Sequence, residues 1–204
     1  MAARHAAATI DLGTGDGRYV LATAAAQPDR LVVGVDANAA AMATASRRAA
    51  ARPSRGRLPN ALFVVAAAEA MPAELEGVAD LVTVHFPWGS LLRGLLGADP
   101  AIMIGLTRVL RRCGTLQLLV SSTARDHSAG VPPIQAATLH ALAESYAAWG
   151  LAVTELRPAT VADMADARST WGKRLGAGSR RPAWLLRAQL APAGYRRTPA
   201  GSSG

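Results

Sequence analysis

A single cysteine, Cys113, excludes an internal disulfide and any metal site built from cysteines. The four histidines, His5, His85, His127 and His140, show no ligand spacing, so no metal is expected. Lysine is nearly missing: of 22 Lys and Arg residues, only Lys173 is a lysine. Aromatics make up 4% of the chain, so each of the four tryptophans needs a reason for its place. No apolar run is long enough to span a bilayer and no signal peptide is evident. Those absences point away from membranes and towards the cytoplasm. Acidic residues stop at Asp166, yet Arg168, Lys173, Arg174, Arg180, Arg181, Arg187, Arg196 and Arg197 follow.

With 204 residues, half of them hydrophobic, the chain can bury one globular core. Its net charge is +8. An Ala- and Arg-rich composition can reflect a GC-rich genome, but the cations are also clustered. Besides the C-terminal run there is a second acid-free stretch holding Arg47, Arg48, Arg52, Arg55 and Arg57. Such clusters suit a polyanion, because each phosphate contact releases condensed counterions. A solvated helix face is the plainer reading of the first stretch.

Short apolar runs alternate with helical stretches, which predicts an α/β fold with a mainly parallel sheet. Strands are expected at Ala8–Leu12, Leu31–Val35, Leu62–Ala66, Leu81–His85, Thr115–Ser121, Leu151–Leu156 and Ala183–Leu190. Helices are expected over Tyr19–Ala26, from an Asn38 cap to about Ala51, and over Ala101–Leu110. Residues 122–133 read as a loop, rich in Gly, Ser and Pro. Beyond them Ile134, Leu142, Tyr146 and Trp149 recur at helical spacing, with Gly150 as a stop. Thr160 followed by Asp163 resembles a capping box opening a short helix. There is no internal repeat and no sign of a second domain, so 1–191 is expected to be one domain and 192–204 a flexible tail.

The stretch Asp11-Leu-Gly13-Thr14-Gly15-Asp16-Gly17 falls between a strand and a helix. Glycines there let the backbone approach a ligand at the carboxyl edge of the sheet. Asp36 ends the second strand, where a carboxylate can accept from two ribose hydroxyls. Three explanations compete: a dinucleotide, S-adenosylmethionine, or a bare turn. The dinucleotide fingerprint is GxGxxG, and here the third glycine arrives one residue early, leaving Arg18 in its place. A helix N-terminus serving a pyrophosphate also avoids nearby negative charge. Asp11 and Asp16 suit instead a ligand with a positive amino or sulfonium group. The loop resembles the first motif of class I methyltransferases, and Asp36 their second-strand acid.

Phe86-Pro87-Trp88-Gly89-Ser90 follows the fourth strand, where a reacting methyl should lie. Between Pro and Gly, Trp88 reads as a loop residue, either a plug beneath the cofactor or a stacking platform for a base pulled from its helix. Trp171 stands in Arg168-Ser169-Thr-Trp171-Gly-Lys173-Arg174 beside the cationic run, an arrangement that suits RNA. Trp149 and Trp184 fall in a helical and a strand pattern and are assigned to the core.

DLGTGDG, RLVVGVDAN, AAAEAMP, FPWGSLLRG and STWGKRL, in that order, resemble the aminoglycoside-resistance methyltransferases that act on N1 of adenine 1408 in 16S rRNA. The resemblance covers roughly residues 8–191, and FPWGSLLRG with the late Trp-Gly-Lys-Arg is far more specific than the glycine loop. It implies a class I, Rossmann-like fold with a seven-stranded, mostly parallel sheet, helices on both faces, and additions at 122–150 and 157–181 for RNA recognition. It implies S-adenosylmethionine as cofactor, S-adenosylhomocysteine as product, no metal, and the 30S subunit as partner of a monomeric enzyme. By matching position, Asp11, Gly13, Thr14, Gly15, Asp36, Ala37, Ala68 and Glu69 would line the cofactor site. Ser90 and Ser169 would hold cofactor or target. Trp88 and Trp171 would sandwich the flipped adenine, and Lys173, Arg174, Arg180 and Arg181 would grip rRNA. Glu69 could equally be a solvated loop acid, and Arg93 an ordinary surface arginine.

The family carries an N-terminal β-hairpin, whereas about seven residues precede the first strand here. Either the start lies upstream or this member lacks that element. A small-molecule methyltransferase would explain the loop and Asp36 but leave the basic run and Trp171 idle. A non-catalytic RNA-binding protein would not need Asp11, Asp36 and Trp88. A nicotinamide-dependent dehydrogenase fits worst, given the glycine spacing and the missing acid–base residues.

Overall fold

A computed structural model describes residues 5–52, 54, 56–128, 130–169 and 181–191. In the first half β1 (Ala7–Leu12), α1 (Arg18–Ala26), β2 (Arg30–Asp36), α2 (Ala39–Ala49), β3 (Ala61–Val65) and β4 (Ala79–His85) alternate. Then come α3 (Gly89–Leu96), α4 (Pro100–Val109), β5 (Leu110–Val120), α5 (Ala124–Ser128), α6 (Ala136–Ala147), β6 (Leu151–Pro158), α7 (Val161–Asp166) and β7 (Trp184–Leu190).

The strands form one sheet in the order β3-β2-β1-β4-β5-β7-β6. The first five pair in parallel, and β7 runs antiparallel between β5 and β6. Parallel strands are covered on both faces and so read as unbroken apolar runs. On one face Ile10, Val33, Val35, Val82 and Val84 join Leu92 and Leu95 of α3, Met103 and Leu106 of α4, and Tyr146 of α6. On the other, Val32 and Ala61 meet Val20 and Ala24 of α1 and Ala49 of α2. Phe86, Leu119 and Leu185 meet Ala167, with Met164 of α7 packed against them. Burying each Val, Leu, Ile, Met or Phe among them contributes about 1.5–3 kcal/mol before entropy is counted.

Several local rules set the boundaries. Asn38 caps α2 by accepting from Ala41 N. Asp99 caps α4, with Pro100 in the first turn. Thr160 and Asp163 form the expected capping box at α7. The apolar stripe at Leu142 and Tyr146 belongs to α6, and the buried Tyr146 hydroxyl donates to Leu95 O at 3.1 Å, tying α6 to α3. Trp149 and Trp184 pack against the core as expected.

Three expectations are corrected. Helix α3 was not anticipated, because Gly89 and Gly94 dilute its pattern; Trp88 is therefore its N-cap residue. Strand β5 starts at Leu110 rather than Thr115. Its exposed Arg111, Arg112 and Cys113 hid the beginning, and Cys113 has φ 62° where the pairing with β4 shifts register. Residues Ala124–Ser128 in the expected loop form a turn and a half of helix, α5, opened by Thr123 and Asp126 bonding to one another. The tail from residue 192 lies outside the described residues.

Candidate cofactor and target-base site

At the carboxyl edge of the parallel strands lies a cavity of about 1030 Å³, roomy for one nucleoside-sized ligand plus a base. Its first wall is the glycine loop. Gly13 N and Thr14 N donate to Val35 O, and Gly15 N donates to the Asp36 carboxylate at 2.8 Å, so the loop is pinned to the end of β2. The other Asp36 oxygen accepts from Asn38 N at 2.8 Å. A carboxylate offers about four acceptor positions, so it still has room for two hydroxyl donors. Gly17 is required twice over: its φ is 71°, and a Cβ there would sit 2.6 Å from both Ala45 Cβ and the Phe63 ring. That close approach explains why the third glycine comes early.

Ala68 and Glu69 form the second wall, on a tight 3-10 turn over Ala68–Ala70. Helix α4 presses on this turn at Gly105, where a Cβ would lie 2.0 Å from Ala68 O. The third wall follows β4. Phe86, 2% exposed, adopts φ 52°, an uncommon conformation for an aromatic residue. Its N–H donates to Leu119 O at 2.8 Å and its ring is buried with Leu119, Ala167, Ala183 and Leu185. That packing holds the strained turn, which presents Trp88 at 69% exposure on the cavity rim. Arg168, with φ 46°, and Ser169 close the far side.

Asp11 forms the floor, 2% exposed. Its Oδ1 accepts from the Thr83 hydroxyl at 2.8 Å and stands 3.3 Å from His85 Nδ1. The Tyr19 ring meets the imidazole edge-on, with centroids 4.6 Å apart. Burial, then the Asp11 charge, raises the Tyr19 phenol above its usual range. Among the described residues, Thr14 Oγ1 and His85 Nδ1 are buried and make no hydrogen bond. Both line the cavity. Unsatisfied buried polar atoms at a cavity wall fit a polar ligand.

The sequence-expected Asp11, Gly13, Thr14, Gly15, Asp36, Ala37, Ala68, Glu69, Trp88, Ser90 and Ser169 all line this one cavity. Asp16 lines it too, but its carboxylate is 3.2 Å from the Arg18 guanidinium rather than left for a cationic ligand alone. Exposed Arg181 stands outside the lining, ahead of β7. Trp171, Lys173, Arg174 and Arg180 lie outside the described residues. Sequence reasoning missed Tyr19, His85 and Arg168 as lining residues. Strand parity puts His85 on the same face of β4 as Thr83, but nothing in the sequence links that face to Asp11 and Tyr19. Among the described residues no cluster of three or more His, Cys, Asp or Glu could hold a metal ion. Nor is any helix among them long and apolar enough to cross a membrane.

A family model described as NpmA, 16S rRNA (adenine(1408)-N(1))-methyltransferase, matches residues 1–190. The chain belongs to this family. A 16S rRNA (adenine(1408)-N(1))-methyltransferase of Streptoalloteichus hindustanus is 36% identical over 176 residues, covering 81% of this chain and 79% of the relative. Among solved structures, a tryptophan-to-alanine mutant of the Catenulisporales acidiphilia enzyme with its cosubstrate SAM superposes with a TM-score of 0.85. It shares 32% identity and covers 97% of this chain and 90% of its own. The aminoglycoside resistance methyltransferase NpmB1 gives a TM-score of 0.78 at 37% identity, over 93% of this chain and 90% of that one. The seven-stranded sheet described above is thus the Rossmann-like fold of the 1408 methyltransferases. The fold and family expected from the motifs are borne out.

Proposed function

We propose that this chain transfers a methyl group from S-adenosylmethionine to N1 of adenine 1408 in 16S rRNA, so conferring aminoglycoside resistance. The observation carrying this reading is the exposed Trp88, set by the strained Phe86 turn at the mouth of a cavity whose floor and wall are Asp11 and Asp36. When bound, the cofactor supplies a methyl carried on a sulfonium. Asp36 would take the ribose hydroxyls on its remaining acceptor positions, and Asp11 would face a positive group. Thr14, Gly13, Gly15, Ala37, Ala68 and Glu69 would shape the rest of the cofactor pocket, with Ser90 and Ser169 at its junction with the base.

Adenine N1 has its own lone pair, so no base is needed to activate it. The chain's task is to hold the flipped base in line with the methyl, and orientation supplies much of such a rate. Trp88 stacks on the base and, with Trp171, stabilises the positive charge that develops on the ring. Arg181, with Lys173, Arg174 and Arg180, would hold phosphates. A second exposed group, Arg47, Arg48, Arg52 and Arg57, stands at and beyond the far end of α2. An 11-residue helix is about 16 Å long, so cations this far from the loop favour a large polyanion over a small substrate. The reading is of a monomer acting in the cytoplasm on assembled 30S subunits, with 1–191 as one domain.

Primer extension on 16S rRNA from 30S subunits treated with protein and S-adenosylmethionine tests it. N1 methylation blocks Watson–Crick pairing, so a new stop at the decoding-site adenine is expected. No stop on subunits that another family member modifies sinks the reading.

A further inference from the structure

The imidazole of His85 lines the cavity floor, and the methyl transfer above gives it no task. Its side chain is 6% exposed, that of Asp11 4%. The Nδ1 atom is sealed from solvent, and the nearest acidic group is Asp11 Oδ1 at 3.3 Å. A lone pair on Nδ1 would face a carboxylate oxygen, so electrostatics puts a proton there. Thr83 donates to the same oxygen. The Thr83 hydrogen bond and the imidazole edge 3.3 Å away hold the Oδ1 side of the carboxylate, and Oδ2 makes no bond among the described residues.

We propose that His85 is a positioning residue for the cofactor: while neutral it orients Asp11 towards a cationic group of the ligand, and when protonated it cancels the charge that group needs. This rests on reading the cavity as an S-adenosylmethionine site. The titratable groups facing the imidazole are Asp11 from β1 and Tyr19 from α1, while β5 places Leu119 opposite it in register. The same cavity is also lined by Asp16, Asp36, Glu69 and Arg168. Tyr19 stays neutral across the range in question, because its phenol is pushed upward. The second proton on the imidazole is therefore the event that turns a buried anion into a buried ion pair. Cation binding beside Asp11 opposes that protonation, so affinity must fall on acidification.

The experiment is calorimetric titration of the full chain with S-adenosylmethionine and, separately, S-adenosylhomocysteine between about pH 5 and 8, the window of histidine chemistry. For the wild type, affinity should weaken towards low pH by at most about tenfold per pH unit, the limit for one linked proton. Binding there should release a proton, read from buffers of different ionisation enthalpy. In His85→Gln the slope and the release should vanish. In Thr83→Val affinity should drop several-fold at every pH with the slope kept. Equal slopes for both ligands assign the sensed cation to the shared ammonium, and a steeper one for S-adenosylmethionine assigns it to the sulfonium; either supports the proposal. A pH-independent wild type, or a His85→Gln protein retaining the slope, overturns it. Should His85→Gln not fold, the wild-type proton count decides alone, with no release overturning it. Failure of the underlying reading looks different: neither ligand binds at any pH.

Discussion

Gly105→Ala pits two opposing magnitudes against each other. In a helix interior, Gly to Ala is worth about 0.5–1 kcal/mol in favour of alanine. At this site the new Cβ would lie 2.0 Å from the Ala68 carbonyl oxygen, with Ala68 C at 3.2 Å. Nonbonded heavy atoms rest at about 3.5–4.0 Å, and a backbone carbonyl cannot rotate aside. Helix α4 and the Ala68–Ala70 turn must therefore part by roughly 1 Å or more, and overpacking of this kind costs about 1–3 kcal/mol. The clash wins, leaving a net loss of about 1–2 kcal/mol, or about 3–6 °C in Tm for a chain of this size. The displaced turn carries Ala68 and Glu69, so S-adenosylmethionine affinity should fall roughly tenfold, about 1.4 kcal/mol. Gly94→Ala serves as the control, since its Cβ would first meet Ile102 Cδ1 at 2.2 Å, the movable end of a side chain. Its cost should be clearly smaller, with affinity unchanged. Thermal melts and calorimetry on both variants check this. A Gly105→Ala protein with raised Tm and wild-type affinity would refute the reasoning.

Trp88→Ala should leave stability within about 0.5 kcal/mol, as an exposed position implies, and leave cofactor affinity unaltered. Methylation should fall about 10–100-fold, because stacking on one base is worth about 1–3 kcal/mol; a primer-extension time course reads it. Asp163 caps α7 and pairs with Arg157 Nη1 at 2.5 Å, and that bond holds its carboxyl far below the usual range. A depressed carboxyl stabilises the fold above its unfolded pKa of about 3.9 and loses that contribution as pH falls towards its folded value. Asp163→Asn should therefore cost about 1–2 kcal/mol at neutral pH, and the gap should narrow steadily below about pH 4 in urea melts. Asn60 Nδ2 lies within 3.0 Å of Ala24 O, Gln27 O and Arg30 O, closing the end of α1 onto β2. Asn60→Ala should cost about 2–3 kcal/mol by leaving buried carbonyls unpaired, and a melt indistinguishable from wild type would contradict that.

The parallel strands were legible because burial on both faces writes them as apolar runs, Asn38 and Thr160 marked helix starts by side-chain caps that act over three residues, and Gly150 marked a helix end by its left-handed backbone. The start of β5 was not legible, since exposed arginines follow no strand alternation and Leu110 before them is held by pairing with distant Ala79. Helix α3 was hidden because its stability comes from Leu92 and Leu95 packing into the core rather than from propensity. The glycine loop and Asp36 could be read by spacing alone. His85 could not, because its meaning arises from Asp11 and Tyr19, brought to it by the pairing of β1 with β4 and the packing of α1. Trp88 was identified as a site residue from its motif, but the strain at Phe86 that aims it became visible only with φ in hand.

Because β7 is antiparallel to both its neighbours, β6 ends and β7 begins at the same edge as the cavity. The excursion between them leaves and rejoins the sheet through one neck, closed by Ala159 N donating to Ala183 O at 2.8 Å and by Ser121 Oγ donating to Pro182 O at 2.8 Å. Arg157 braces that neck against Glu155 and Asp163. A segment anchored this way can change in length or composition without altering any strand register. Under the proposed function a change in this excursion acts on two things at once, because it carries the basic run of the sequence and also Arg168 and Ser169 of the cavity wall, so grip on nucleic acid and fit to the methyl donor are altered together.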